Sequence, residues 1–335
     1  MYRRKVQVTG GGTFFVTLPK GWAERVGIRH GGEVALVPSQ GGPLLVVPEG
    51  MRESNRCLLR LDGRSRVELE REIIAHYIAG FDVIRVAGER IRPQERRMVR
   101  EIAQSLIGME ILEETQSEVA LHSVVNIQDF PAQHTIHRIF DITRAMLEDA
   151  ISAFLARDDE LARDVIERDG DVDRLVLLVA RQFSLLLRDL VTEEDIGLSR
   201  FAFLHYHTVA DQLERVADHA VKISRAALEV ETLPSQEVGG RVRGLFGESK
   251  EILEGAVQAF EERDTKLANH VLAHKEDRNQ LLELAQISAA DQPENAYAIS
   301  IVMDSLLRAR EYGFNIAEIA LDAAVPSPQP NRPAR

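Results

Sequence analysis

The sequence predicts a multidomain, mainly α-helical protein: a small β-rich module first, a small α/β domain after it, then two three-helix bundles in tandem. Three observations carry that prediction. From His134 to Ala324 apolar residues recur at the 3.6-residue spacing of amphipathic helices, with few Gly or Pro to interrupt them. Within that stretch Arg157-Asp158-Asp159-Glu160-Leu161-Ala162 is echoed by Glu262-Arg263-Asp264-Thr265-Lys266-Leu267-Ala268, so the helices fall into two similar triplets. Ahead of it, short β-type runs are punctuated by Gly and Pro and then alternate with helical patterns.

A chain of 335 residues that is 44% hydrophobic can build two or three domains with cores of their own. Its single cysteine, Cys57, excludes an intrachain disulfide and makes a poor metal site, which fits a reducing compartment and a plain strand residue. No charged-then-apolar leader opens the sequence, and no apolar run approaches the roughly 20 residues that span a bilayer. A soluble cytoplasmic protein with no membrane insertion is therefore expected. The net charge of −12 is unevenly spread: residues 1–100 hold 18 Lys and Arg against 11 Asp and Glu, a net of +7, which leaves −19 for the rest. A basic first third suits a polyanion; an acidic remainder suits cations or basic protein surfaces and would repel nucleic acid.

Residues 1–48 form the first predicted domain, with strands at Lys5 to Thr9, Thr13 to Leu18, Glu33 to Val37 and Leu44 to Val47. Gly10-Gly11-Gly12 supplies the first turn, Pro19 stands where a helix from Lys20 to Val26 would begin, and Gly27 where it would stop. Among its first 32 residues are six basic side chains (Arg3, Arg4, Lys5, Lys20, Arg25, Arg29) and one acid, Glu24. A segment this small cannot bury a core alone. The order of basic strand, Gly turn, Val-Thr-Leu-Pro-Lys, helix ending in Gly, then Gly-Gly-Glu-Val-Ala-Leu resembles the AbrB/SpoVT-type swapped-hairpin domain. That resemblance covers about 45 residues. It implies a homodimer with interleaved chains, with DNA as a partner and Arg3, Arg4, Lys5, Lys20 and Arg25 as phosphate or groove contacts. Trp22 is expected to pack in the shared core.

After a linker around residues 49–54, residues 55–128 read as a small α/β domain: strand Arg56 to Leu61, helix Arg66 to Ala79, strand Asp82 to Val86, helix Pro93 to Ile107, and a hairpin of Met109 to Glu114 with Glu118 to Val125. It has no Gly-rich phosphate loop and no nucleophile with a base nearby, so no enzymatic role follows from it. Arg90, Arg92, Arg96, Arg97 and Arg100, interleaved with Glu89 and Glu95, read as a solvated helix face.

The first bundle, residues 133–231, is assigned helices from Thr135 to Ala156, Asp159 to Asp189 and Ser199 to Val230. A break is expected at Thr232-Leu233-Pro234-Ser235 and Gly239-Gly240. The second bundle, residues 240–325, is assigned helices from Arg241 to Arg263, Thr265 to Ser288 and Glu294 to Ala324. The Pro-rich tail, residues 326–335, is expected to be disordered.

The chemistry concentrates in the first bundle. In its last helix Asp211, Glu214 and Asp218 fall within about 60° of one another, while Val209, Leu213, Val216, Ala220 and Ile223 line the opposite side. Asp169 and Asp173 stand at i, i+4 on the preceding helix. If the two helices pack antiparallel, these acids converge, and hard oxygen donors suit a divalent cation. Leu213-Glu214-Arg215-Val216-Ala217-Asp218-His219-Ala220-Val221-Lys222-Ile223 is similar to the Leu-Glu-Arg-Ile-Gly-Asp-His-Ala-x-x-Ile signature of PhoU proteins, the phosphate-uptake regulators, and Asp169/Asp173 resembles the matching Asp-x-x-x-Asp. The resemblance implies two PhoU-like three-helix bundles and a metal held by Asp169, Asp173, Glu214 and Asp218 with Asp211 assisting, as Mg, Mn, Fe or Zn.

The second bundle departs from that pattern: Lys275 falls opposite Asp169, Asn279 opposite Asp173 and Leu307 opposite Glu214, while Asp304 and Glu311 fall opposite Asp211 and Asp218. One metal site is therefore expected, with a Lys275 to Glu311 ion pair replacing the second. His205, His207 and His219 are read as hydrogen-bonded surface residues rather than ligands.

Two functions compete. One is a dimeric DNA-binding transcriptional regulator of phosphate uptake and homeostasis with a metal-binding PhoU-like sensor domain. The other is an interaction protein that does not bind DNA and docks on a phosphate-transporter ATPase or sensor protein through its helices. A carboxylate-bridged metal enzyme would place its ligands inside a bundle, commonly with a Glu-x-x-His repeat, and neither feature is present.

Overall fold

The computed structural model describes residues 2–38, 44–48, 55–61, 63–274, 290 and 292–326. It separates into a unit that ends at Asn55 and a larger one that begins at Arg56. The expected linker and tail, the Lys275 to Glu311 pair and the far half of the helix assigned from Thr265 to Ser288 lie outside the described residues.

In the first unit β1 (Gln7–Val8) pairs antiparallel with β2 (Phe14–Phe15), α1 (Lys20–Arg25) follows, and β3 (Val34–Pro38) pairs antiparallel with β4 (Leu44–Pro48). Gly12 and Gly27 have the positive φ that their turns require, 84° and 76°. The first two strands are shorter than the sequence suggests, because nothing packs on them. None of residues 2–36 is buried, and Phe14 is 73% exposed, Val6 64% and Val8 59%. Trp22, expected in a core, is partly exposed in the single chain.

The second unit opens with a four-stranded sheet. It comprises β5 (Arg56–Arg60), α2 (Arg66–Ile78), β6 (Val83–Ala87), α3 (Pro93–Gln104), β7 (Met109–Glu114) and β8 (Glu118–Ser123). The order is β5-β6-β8-β7, with β5 and β6 parallel and the other pairs antiparallel. Ser65 caps α2 through a capping box with Glu68, and Pro93 opens α3. Both helices cover one face, where Leu69, Ile73, Tyr77, Val99 and Ile102 meet Leu59, Ile84, Val86, Val119 and Leu121. Part of the arginine cluster is paired: Arg96 and Arg100 both bond the Glu114 carboxylate. Cys57 points to the covered side, and burial pushes its thiol up to about 11, so it is an unreactive strand residue.

The rest is helical: α4 (Ala132–Ala156), α5 (Asp159–Leu187), the short α6 (Glu193–Ile196), α7 (Arg200–Leu228), α8 (Gln236–Glu262), α9 (Thr265–Ala273) and α10 (Ala296–Ala324). The sequence echo is structural. In each bundle an arginine in the left-handed region, Arg157 (φ 53°) or Arg263 (φ 55°), ends one helix, and the following aspartate, Asp158 or Asp264, accepts two backbone N–H bonds to start the next. The expected break at Gly239-Gly240 does not occur. Helix α8 starts earlier, at the Ser235 cap, and runs through both glycines. A Cβ at Gly239 would meet Leu155 and Arg243 at 3.4 Å, so this glycine lies in a packed helix rather than a turn.

Helices α4, α5 and α7 pack together, α8, α9 and α10 form the second set, and α7 against α10 and α4 against α8 join them. One continuous core results, from Ile136 and Phe154 through Leu213 and Val216 to Leu306 and Ile316, rather than two separate ones.

Candidate functional site

Helix α7 presents the predicted stripe to that core: Val209, Leu213, Val216, Ala220 and Ile223 are all fully buried. Its acids emerge on the side that faces α5. Asp169, Asp211 and Glu214 are half-buried, and Asp173 and Asp218 are exposed. Asp169 interacts with Asp218, and Asp173 with both Asp218 and Glu214, so the acids of α5 and α7 converge, as an antiparallel approach of the two helices would bring about.

Burial and mutual repulsion push the carboxyls up. Asp169 rises through desolvation and then the charge of Asp218, opposed by Arg225. Asp173 rises to about 6 through desolvation, then Asp169 and Asp218. Glu214 rises to about 7 through desolvation, then Asp218, Asp173 and Asp211, against Arg215. All five acids named from the sequence thus act on one patch of potential.

Three nearby arginines, Arg168, Arg174 and Arg215, have contacts elsewhere, while Arg225 acts on Asp169 through its charge. Arg168 pairs with Asp149 at 2.5 Å and Asp164 at 2.8 Å, Arg174 approaches Asp171 at 3.9 Å, and Arg215 lies over the Tyr312 ring, 5.9 Å from its centre. Among the described residues no ion pair reaches Asp169, Asp173, Glu214 or Asp218. The donor chemistry, carboxylate oxygen throughout, fits a hard divalent cation. Among the described residues, however, no three His, Cys, Asp or Glu are grouped to hold a metal ion as they stand. The acids meet through their fields, not as a preformed ligand shell.

The histidines differ from one another. His207 stands 3.5 Å from Asp211, and His205 packs edge-on against Phe201. His219, expected at the surface, is 7% exposed. Desolvation, then Lys222, lowers its pKa to about 4. Its one-residue offset from Asp218 carries it to the α10 side of the helix, where Tyr312 lies 5.9 Å away, ring to ring, and its Nδ1 has no hydrogen-bond partner among the described residues.

One central residue was not singled out from the sequence. Arg181, on α5 two turns beyond Asp173, is buried and donates to the carbonyls of Tyr77 at 2.5 Å and Phe81 at 3.0 Å, and to the Ser123 hydroxyl at 3.3 Å. Its guanidinium also lies 4.9 Å from the centre of the Tyr77 ring. A cation at the carboxyl end of α2 is favoured by the helix dipole. Arg181 thereby fastens the α/β sheet to the acidic helix. The signal was a single charge in Leu177-Leu178-Val179-Ala180-Arg181, on the same stripe as Leu178 and Leu185.

In the first unit Arg3, Arg4, Lys5, Lys20 and Arg25 are all exposed. Arg3, Arg4 and Lys5 precede β1, and Lys20 forms a 3.7 Å pair with Glu24 along α1. No described helix is long and apolar enough to cross a membrane.

Residues 136–227 match the family model of the PhoU domain, and that span is the bundle that carries the acids. A phosphate-specific transport system accessory protein PhoU homolog from Pseudomonas putida is 27% identical over 138 residues, 39% of this chain and 50% of that protein. The chain thus spans about half the length of the curated relative it matches. Among solved structures, PhoU from Pseudomonas aeruginosa aligns at 20% identity with a TM-score of 0.49, covering 57% of this chain and 94% of that one. The phosphate transport system regulatory protein PhoU from Streptococcus pneumoniae aligns at 18% identity with a TM-score of 0.46, covering 57% and 92%.

Proposed function

We propose that this is a PhoU-like accessory and regulatory protein of phosphate uptake, cytoplasmic and without enzymatic activity, that pairs through its hairpin module, contacts DNA there, and takes a divalent cation on its first bundle. The observation that carries the reading is the coincidence of the PhoU-domain match at 136–227 with the unneutralised acids Asp169, Asp173, Glu214 and Asp218. A cation among them would relieve repulsion that Arg225 and Arg215 offset only in part. Side-chain rotation of the exposed Asp173 and Asp218 toward Glu214 and Asp169 gathers the donors, and Asp211 assists. The bound ion supplies positive charge that stiffens α5 against α7.

Pairing of the hairpins is supported by their missing core. Exposed Val6, Val8, Phe14 and Val16 need a second layer, and a second copy provides an identical one. Interleaving would also gather Arg3, Arg4, Lys5, Lys20 and Arg25 from both chains. The same exposure favours pairing without DNA, so the interaction-protein reading is the alternative, with the helices docking on a transporter ATPase or sensor.

The two readings separate in a salt-titrated shift assay with random duplex DNA. Under the first, wild type binds and the dependence of log affinity on log salt flattens by about 0.9 for each phosphate contact removed by Arg3→Glu, Arg4→Glu and Lys5→Glu. Equal binding of wild type and the triple variant would remove DNA from the reading. Elemental analysis of the purified protein identifies the ion.

A further inference from the structure

Counted from their capping aspartates, the second helices of the two bundles compare position by position. Six and ten residues past Asp158 stand Asp164 and Arg168, paired along α5 at 2.8 Å. Six and ten residues past Asp264 stand His270 and His274 on α9. An i, i+4 ion pair in the first bundle is thus replaced in the second by two imidazoles, which offer each other no opposite charge. Both are exposed, with ring centres 5.0 Å apart and ring planes at 86°. Neither pairs with an acid among the described residues. His274 Nδ1 lies 3.0 Å from the His270 carbonyl oxygen. A carbonyl only accepts, so Nδ1 carries the proton and Nε2 keeps its lone pair. A backbone bond of this kind is what orients a ligating histidine. The main chain beneath is held as well, because the His274 carbonyl accepts from buried Arg310 at 2.6 Å.

We infer that His270 and His274 form a site for a transition-metal ion of the Zn²⁺, Ni²⁺ or Cu²⁺ class, bound through imidazole nitrogen. Two histidines one helical turn apart can reach a single ion from one face. With metal–nitrogen bonds of about 2.1 Å, two imidazoles meeting at a roughly tetrahedral angle hold their ring centres about 5 Å apart. The two rings of α9 already stand at that separation. No third His, Cys, Asp or Glu is grouped with them among the described residues, so water fills the remaining positions and the ion is exchangeable. The chemistry differs from that proposed for the first bundle, where carboxylate oxygens suit Mg²⁺ and imidazoles would not. By bridging one turn, the ion staples the end of α9, where backbone bonds otherwise open first.

The test follows backbone hydrogen exchange of α9 in the full chain with Zn²⁺ or Mg²⁺ added. Saturating Zn²⁺ should slow exchange in the last turn of α9 roughly tenfold, and Mg²⁺ should leave it unchanged. His270→Ala and His274→Ala should each remove the effect. Both positions are exposed and alanine favours a helix, so the variants keep α9. Glu214→Gln with Asp218→Asn should retain the slowing. In a calorimetric titration with Ni²⁺, the protein carrying both alanines should take up one ion fewer than wild type. Slowing that persists in both single variants, equal slowing by Mg²⁺, no slowing in wild type, or unchanged Ni²⁺ stoichiometry would each overturn the site. None of these outcomes bears on the acids of the first bundle, which Mg²⁺ probes separately.

Discussion

The two bundles are built alike and equipped differently. Both start their second helix from a left-handed arginine followed by a capping aspartate, and both bury an apolar stripe on their last helix. The first leaves Asp169, Asp173, Glu214 and Asp218 without an ion pair among the described residues and has the α/β sheet fastened to it. In the second, Leu307 occupies the position of Glu214, Arg308 donates to Glu311 at 2.8 Å, and Arg310 donates to the His274 carbonyl at 2.6 Å. The architecture therefore stands without the acids. The carboxylates of the first bundle repel one another, whereas in the second Glu311 is paired with Arg308.

The common part of that comparison gives the largest expected effect. Leu213 and Leu306 occupy equivalent positions and are both fully buried in one continuous core. Leu213→Ala and Leu306→Ala should each lower unfolding free energy by about 3 kcal/mol in a single denaturant transition. Two separable transitions would mean that the bundles are independent after all.

The difference between the bundles comes next. At a hundredfold excess over its dissociation constant, a divalent cation should stabilise the wild type by about 2.7 kcal/mol, read as a rise in melting temperature. Glu214→Gln with Asp218→Asn should abolish the gain, and Glu311→Gln should leave it intact. A gain that survives the first-bundle variant would place the ion elsewhere.

A smaller effect is expected from pH without a cation. Glu214 and Asp173 are raised to about 7 and about 6, so the folded state binds their protons more tightly than the unfolded state. Their contribution is fully present below the unfolded values near 4 and is lost as pH rises through 6 to 7. Buried His219, lowered to about 4, works in the opposite sense: its contribution is present above about 6.5 and lost as pH falls through about 4. The comparison must therefore be with Asp173→Asn/Glu214→Gln, which retains His219. Wild type should gain stability relative to that variant on going from about pH 7.5 to about pH 5.5. A constant difference across this range would show that the two carboxyls titrate normally.

Much of this was legible in the sequence where the determinants are local. Helical periodicity placed the α7 stripe residue by residue, and the repeated Arg-Asp pair gave both helix junctions, because caps and amphipathic spacing are set within a few residues. The spacing put Asp169/Asp173 and Glu214/Asp218 each on one helix face; their convergence depended on how the two helices pack, which spacing alone does not fix. What the sequence hid depends on partners far along the chain. Gly239 reads as a break although α8 runs through it, His219 reads as surface until α10 covers it, and Arg181 reads as one more charge until the carbonyls of Tyr77 and Phe81 meet it.

The absence of any buried residue between positions 2 and 36 also bears on how the molecule is made. The helical core can reach its native state as a first-order event, each molecule by itself. If the hairpins pair as proposed, a segment with no interior of its own would become ordered on encounter, and its maturation would be second order in chain concentration. At low expression the population would consist of finished helical units trailing unfinished leading ends. Any activity that depends on those ends would switch on steeply as the protein accumulates.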